Sequence, residues 1–172
     1  MGMGERLACR LVVATLLDRG IQAELVTLES IVDELDEEIM RPPSLAYEAS
    51  NYLEQAFYDR LSTVLAERIL KCEGVPVVTG YFGNVPGSLL SQVGRGYTDL
   101  CAALCAVGLK ASELQIWKEV DGVFTADPRK VPTARLVPAI TPEEAAELTY
   151  YGSEVIHPFT MEQAIKKSVP IR

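Results

Sequence analysis

Val75-Pro76-Val77-Val78-Thr79 leads into a glycine-rich stretch that closes on Gly94-Arg95-Gly96-Tyr97-Thr98-Asp99. The first string is a continuous apolar run, too short for a helix, and it predicts a buried parallel strand. The stretch Gly80 to Gly96 reads as a loop. Beyond it, Thr98 is placed to cap a helix running to about Val107, with Leu100, Ala103, Leu104 and Val107 on its inner face. Strand, glycine loop and helix in that order are the repeating unit of an α/β sheet.

The pattern extends in both directions. Upstream, residues 45–72 carry Leu53, Phe57, Leu61, Val64, Leu65 and Ile69 at helical spacing, and Gly74 stops them. Ala23 to Leu28 reads as a short strand. Residues 4–19 read as a helix whose buried face would hold Leu7, Leu11 and Ala14, with Gly20 as its stop. The acidic run from Ser30 to Pro43 reads as a solvated excursion or short helix. Downstream, Leu114 to Trp117 is the next strand, with Trp117 partly buried, and 118–138 is a loop-rich connection. Thr141-Pro142-Glu143-Glu144 has the cap, N1 proline and acidic first turn of a helix start. A short helix over 160–167 leads to Val169-Pro170-Ile171, the beginning of a strand. The expected fold is α/β, an open, mostly parallel sheet with helices on both faces, formed by one partial domain over 1–172. Strands 75–79 and 114–117 are expected to be adjacent and central.

Composition sets the classes to exclude. The chain has 172 residues, 48% hydrophobic and 23% charged, enough to bury one sizeable core. A formal net charge of −8 argues against nucleic acid as a partner. No apolar run is long enough to span a bilayer, so no membrane is expected either, and the N-terminus has no secretory pattern. Cys9, Cys72, Cys101 and Cys105 form no C-x-x-C pair and stand beside a single histidine, His157. They read as reduced thiols of a cytoplasmic protein, and no metal site is expected.

Ligands of open parallel sheets sit beyond the carboxyl ends of the strands. Two segments there carry candidate chemistry. In Gly94 to Asp99, the glycines permit close backbone approach, the helix start offers free N–H groups, and Arg95 offers a fork suited to a carboxylate or phosphate. The plain alternative is a glycine turn with a capped helix and a surface arginine. In Lys118 to Lys130, three cations, Lys118, Arg129 and Lys130, return to one strand end and could neutralise a polyphosphate. The plain alternative is a solvated loop whose charges pair with each other. Trp117 beside Lys118 could also form a wall of a nucleotide pocket, and His157 reads as a structural histidine before Pro158. Glu5 lies in a first helical turn, where a carboxylate is favoured in any case.

Five strings together resemble the aspartate kinases of the amino-acid kinase superfamily, most closely the fungal type. They are MGERL (3–7), VPVVTGYFG (75–83), GRGYTD (94–99), LQIWKEVDGVFTADPRKVPTARLVPAIT (114–141) and ELTYYGSEVIHPFTMEQAI (147–165), and they cover nearly the whole chain. The resemblance implies transfer of the ATP γ-phosphoryl group to the β-carboxylate of L-aspartate with Mg²⁺, in amino-acid biosynthesis towards threonine and methionine. It implies that Glu5 binds the amino group and that Arg95 grips a substrate carboxylate, with Thr98 and Asp99 in the same site. Arg95 and Asp99 are the implied catalytic pair. It places Lys118, Glu119, Phe124, Asp127, Arg129 and Lys130 around the nucleotide, and Glu154 towards the adenine.

The chain departs from the family pattern in one way that bears on rate. It contains no lysine–glycine loop of the kind that opens the family's kinase domain and cradles the phosphates, and no ACT domains. Losing one preorganised charge of that kind costs on the order of 10²–10³ in rate. The expectation is therefore a weak or inactive kinase. A non-catalytic subunit or remnant acting by binding, and a scaffold repurposed for another small molecule, are the alternatives. An incomplete sheet also leaves an edge open, through which a homo-oligomer or a partner chain is expected.

Overall fold

The computed structural model describes residues 2–35, 55–83, 96–141, 143–145, 147, 156 and 158–172. Helix α1 spans Met3–Asp18, strand β1 Ala23–Val26, and a 3₁₀ turn Ile31–Glu34. Helix α2 spans Gln55–Ile69, β2 Val75–Val78, α3 Tyr97–Gly108 and α4 Pro158–Lys166. The expected stretches 36–54 and 84–95 lie outside the described residues.

β1 and β2 pair in parallel, in the register Ala23↔Val75 to Val26↔Val78. This corrects one expectation: β2 lies beside β1, and the 114–117 segment pairs elsewhere. Leu114 forms a parallel bridge with Ile171, and three backbone bonds of 2.8 Å tie 114–116 to 170–172. Local patterning marks a strand but not its neighbour, because pairing is a long-range choice. The N–H groups of Val75 and Thr79 donate to Gln22 and Val26. Pro76 therefore sits where an N–H would point away from β1, and its missing donor blunts that edge.

Val26 and Val78 of the sheet pack with Leu28, Ile31, Phe57, Leu61, Leu65, Phe82, Leu100 and Leu104, so α2 and α3 cover one face. A second core joins the far side of α3 to α4 and to the 114/171 pair through Ala103, Ala106, Leu114, Ala164 and Val169. α3 is apolar around most of its girth because it serves both cores. α1 lies against β1 and β2. The result is an open parallel α/β arrangement with helices on both faces.

α1 overturns the expected choice of face. Its half-buried positions are Glu5, Arg6, Cys9, Val13 and Leu16, whereas Leu7 and Leu11 are 60% and 62% exposed. The helix is apolar on both sides, so periodicity alone does not decide which side meets the sheet. Trp117 is corrected too, being 87% exposed. Leu114 and Ile116 take the inward positions of that segment, and strand alternation turns Trp117 outward. The start at Thr141 is as expected: its N–H donates to Glu144 Oε2 at 2.8 Å, and its Oγ1 accepts from the Glu144 N–H at 3.3 Å, a capping box.

The crossing of α2 and α3 depends on Gly108. A Cβ there would lie 2.8 Å from the Ser62 carbonyl carbon and 3.0 Å from the Ala66 Cβ, and would press on the Ser62 carbonyl oxygen itself. Gly108→Ala is expected to lower stability by about 1–3 kcal/mol, the range of an overpacked core, despite alanine's better helix propensity. Urea unfolding checks this; a variant as stable as the parent would show that the two helices separate freely.

Candidate functional site

The site gathers where the first turns of two helices meet beside the carboxyl end of β2. Gly96 caps α3 with φ +86°, in the left-handed region that favours glycine. Thr98 is thereby displaced from the expected capping role into the first turn. Its hydroxyl donates to Glu5 Oε1 at 2.6 Å, across 93 residues of sequence. Glu5 stands in the first turn of α1. The next residue of α3, Asp99, holds Lys118 Nζ at 2.9 Å through Oδ2. Glu5, Thr98, Asp99 and Lys118, all expected from sequence, thus form one group.

Two features give this group its chemistry. Helix N-termini carry partial positive charge and unpaired N–H groups, so two of them side by side favour a bound anion. Glu5 contributes the opposite sign. Its Oε2 is buried without a hydrogen-bond partner. A buried acceptor of this kind is costly unless a donor arrives. An ammonium group is a donor of matching charge. Together they offer complementary charge to a zwitterionic amino acid.

The surroundings are stiff. Tyr97 donates its hydroxyl to the Gly83 carbonyl at 3.1 Å and stacks on Phe82 with ring centroids 4.5 Å apart. Burial, with smaller contributions from Tyr81 and other neighbours, pushes the Tyr97 phenol far above its usual range, so it stays a neutral donor. Thr79, buried at the end of β2, accepts the Leu28 N–H at 3.0 Å, and its carbonyl receives the Cys101 thiol at 3.8 Å. The Cys101 thiol is pushed well up by its hydrogen bond with Cys105 and by burial, consistent with an inert packing thiol. The sequence reading missed Tyr97 and Phe82; the YFG and GYT strings hold them, but nothing local signals that they stack.

The 118–138 connection forms a small antiparallel hairpin with a bridge Phe124↔Leu136 and backbone bonds Thr125 to Arg135 and Val137 to Val123. Asp127 Oδ1 accepts from the Arg129 N–H at 3.0 Å and from its Nε at 3.2 Å. These bonds, more than charge alone, hold the Asp127 carboxyl below its ordinary range. Arg129, 90% exposed on its side chain, and Lys130 and Glu119 stand in solvent. Among the described residues, no hydrogen bond or ion pair ties Glu119, Phe124, Asp127, Arg129 or Lys130 to the Glu5 group. Arg95, Glu154 and His157 lie outside the described residues. Among the described residues no cluster of three or more His, Cys, Asp or Glu gathers at metal-binding distance, and no helix is long and apolar enough to cross a membrane.

The fold agrees with the comparisons. The sequence profile of the amino acid kinase family matches residues 1–172, and the chain belongs to that family. It is 60% identical over 173 residues to the aspartokinase of Schizosaccharomyces pombe and 54% identical over 177 residues to that of Saccharomyces cerevisiae. Both alignments take in 100% of this chain and 31% of the relative, so the chain spans about a third of the length of the curated relatives it matches. Among solved structures it is similar to Escherichia coli aspartokinase III in complex with aspartate and ADP. The TM-score is 0.71 at 30% identity, over 98% of this chain and 35% of that one.

Proposed function

We propose that this chain supplies the amino-acid site and the outer nucleotide loop of an aspartate kinase. The observation that carries the reading is the Glu5 carboxylate, anchored by Thr98 with its second oxygen buried and unpartnered, between two helix N-termini. Glu5 holds the amino group of L-aspartate. Arg95, in the Gly94–Asp99 string, grips a carboxylate in bidentate fashion. Asp99 orients Lys118 towards the reacting anions. No general base is required, because the β-carboxylate is ionised at neutral pH, and the remaining task is alignment and charge. ATP is the phosphoryl donor. Lys118, Arg129 and Lys130 fit its phosphates as exposed cations, and Phe124, half-buried in the hairpin, fits the edge of the nucleoside. A magnesium ion would travel with the nucleotide, bound to its phosphates and water, and would offset their charge.

Titration calorimetry with L-aspartate and with Mg-ATP, run separately, tests the reading; absence of L-aspartate binding overturns it, and silence towards Mg-ATP alone removes the nucleotide loop from it. Within that test, Arg95→Ala is expected to weaken L-aspartate by about 1.5–3 kcal/mol, the worth of a charged bidentate contact, and Lys118→Ala by much less. Equal losses would deprive Arg95 of a special role.

Self-association belongs to the same proposal. α1 turns Met3, Leu7, Leu11 and Val12 outward, and Val75 at the sheet edge is 46% exposed. Light scattering near ten micromolar, about −7 kcal/mol on the affinity scale, is expected to show a species larger than a monomer. A clean monomer at that concentration would count against it.

A further inference from the structure

We infer that Gly80 is a positioning residue of the amino-acid site, because its bare Cα is what allows Thr98 to stand where it holds Glu5. This rests on the reading of Glu5 as the ammonium acceptor. Gly80 follows directly on Thr79 at the end of β2. A Cβ built on it would fall 2.5 Å from Thr98 Cγ2, 2.6 Å from Thr98 Oγ1 and 2.8 Å from Thr98 Cβ. All three contacts are to one side chain, and all are closer than real Cβ atoms come. The backbone of Gly80 is outside the left-handed region, so alanine meets no conformational strain there. What alanine meets first is Thr98.

Thr98 cannot yield without losing its role. Its Oγ1 is already 2.6 Å from Glu5 Oε1. Its backbone belongs to the first turn of α3, which is fixed by Tyr97 on Phe82 and Gly83 and by the Leu100 N–H on the Gly96 carbonyl at 3.0 Å. Rotation of the side chain relieves the contacts to Cγ2 and Oγ1 but not the one to Cβ, so the residue must also shift, and either movement disturbs the bond to Glu5. Glu5 would then have both oxygens without their fixed geometry, and the ammonium would lose an oriented acceptor. The nucleotide end is affected less, because Arg129 and Lys130 belong to the hairpin and Lys118 is held by Asp99 and not by Thr98.

The test titrates the 172-residue chain and its G80A, T98V and G80A/T98S variants with L-aspartate and, separately, with Mg-ADP. G80A is expected to weaken L-aspartate by about tenfold or more, the scale of one hydrogen bond to a charged group, and to change Mg-ADP by less than about twofold. T98V, which keeps the shape and removes the hydroxyl, should reproduce that loss. G80A/T98S should recover at most part of it, because serine removes the methyl at the 2.5 Å contact and keeps the hydroxyl and Cβ at 2.6 and 2.8 Å. Equal weakening of both ligands would mean general loosening and overturn the inference. If the unaltered chain binds no L-aspartate, the proposed function falls, and Gly80 is judged without ligand. The coupling between Glu5→Gln and Thr98→Val in urea midpoints should be present in the parent and absent in the G80A background; coupling that persists there overturns the inference. If G80A does not fold, recovery of folding in G80A/T98G, which removes all three contacts, supports the clash with Thr98, and its failure overturns it.

Discussion

Assayed alone in a hydroxamate trap for aspartyl phosphate, the 172-residue chain is expected to turn over at least about 10²–10³-fold below the roughly 1–100 s⁻¹ of ordinary kinases. The residues proposed to bind the amino acid are present, and Lys118, Arg129 and Lys130 offer charge to phosphates. No lysine–glycine phosphate loop exists within these residues. Affinity without alignment of the transferring group leaves the barrier where it was, since only contacts stronger in the transition state accelerate the step. Ligand binding should therefore survive far better than turnover. A chain of the relatives' full length, tested in the same trap, is the positive control. Ordinary turnover by the isolated chain would show that Lys118 or Lys130 supplies the charge otherwise provided by the loop.

The second large effect concerns Glu5. Glu5→Gln is expected to weaken L-aspartate by about 2–5 kcal/mol, the range for truncating one partner of a buried charge pair, or roughly thirtyfold to several thousandfold. The same variant should leave the urea midpoint within about 0.5 kcal/mol of the parent. Two terms oppose each other in the ligand-free fold. The glutamine forfeits a favourable carboxylate at a helix N-terminus, about 0.3–1 kcal/mol, and exchanges a buried charged oxygen for a neutral amide, which costs less to bury. Loss of affinity with intact stability identifies a residue kept for its ligand. A parallel fall in both would make Glu5 a structural carboxylate, and unchanged affinity would place the ammonium elsewhere.

How far the sequence alone carried depended on the range of the interaction. α1, α3, β2 and the Thr141–Glu144 box were legible because each depends on neighbours within a few residues: a cap, a period, a glycine stop. The inner face of α1 was not, because Leu7 and Leu11 are as apolar as Val13 and Leu16, and only the sheet chooses between them. β2 was recognisable as a strand, but its partner β1 is some fifty residues away, as the Ala23↔Val75 register shows, and no local pattern names it. Glu5 and Thr98 illustrate both limits. Neither is distinctive by spacing, and their bond crosses 93 residues; the family resemblance brought them together before the geometry did. Thr98 was misread as a cap for a physical reason: threonine is a common cap, and the positive φ that gives the position to Gly96 is invisible in a string with two glycines.

The outward turn of Trp117 governs how the protein can be observed by light. It is the sole tryptophan, and its indole is 87% exposed. An indole already in water emits at long wavelength whether the chain is folded or not, so emission colour is a poor gauge of unfolding, and urea curves are better followed by far-ultraviolet circular dichroism. Trp117 is the chain neighbour of Lys118, whose amine is held on Asp99 at the first turn of α3. With no other tryptophan to dilute the signal, a change in its emission on adding a ligand is expected to report on this segment and not on unfolding.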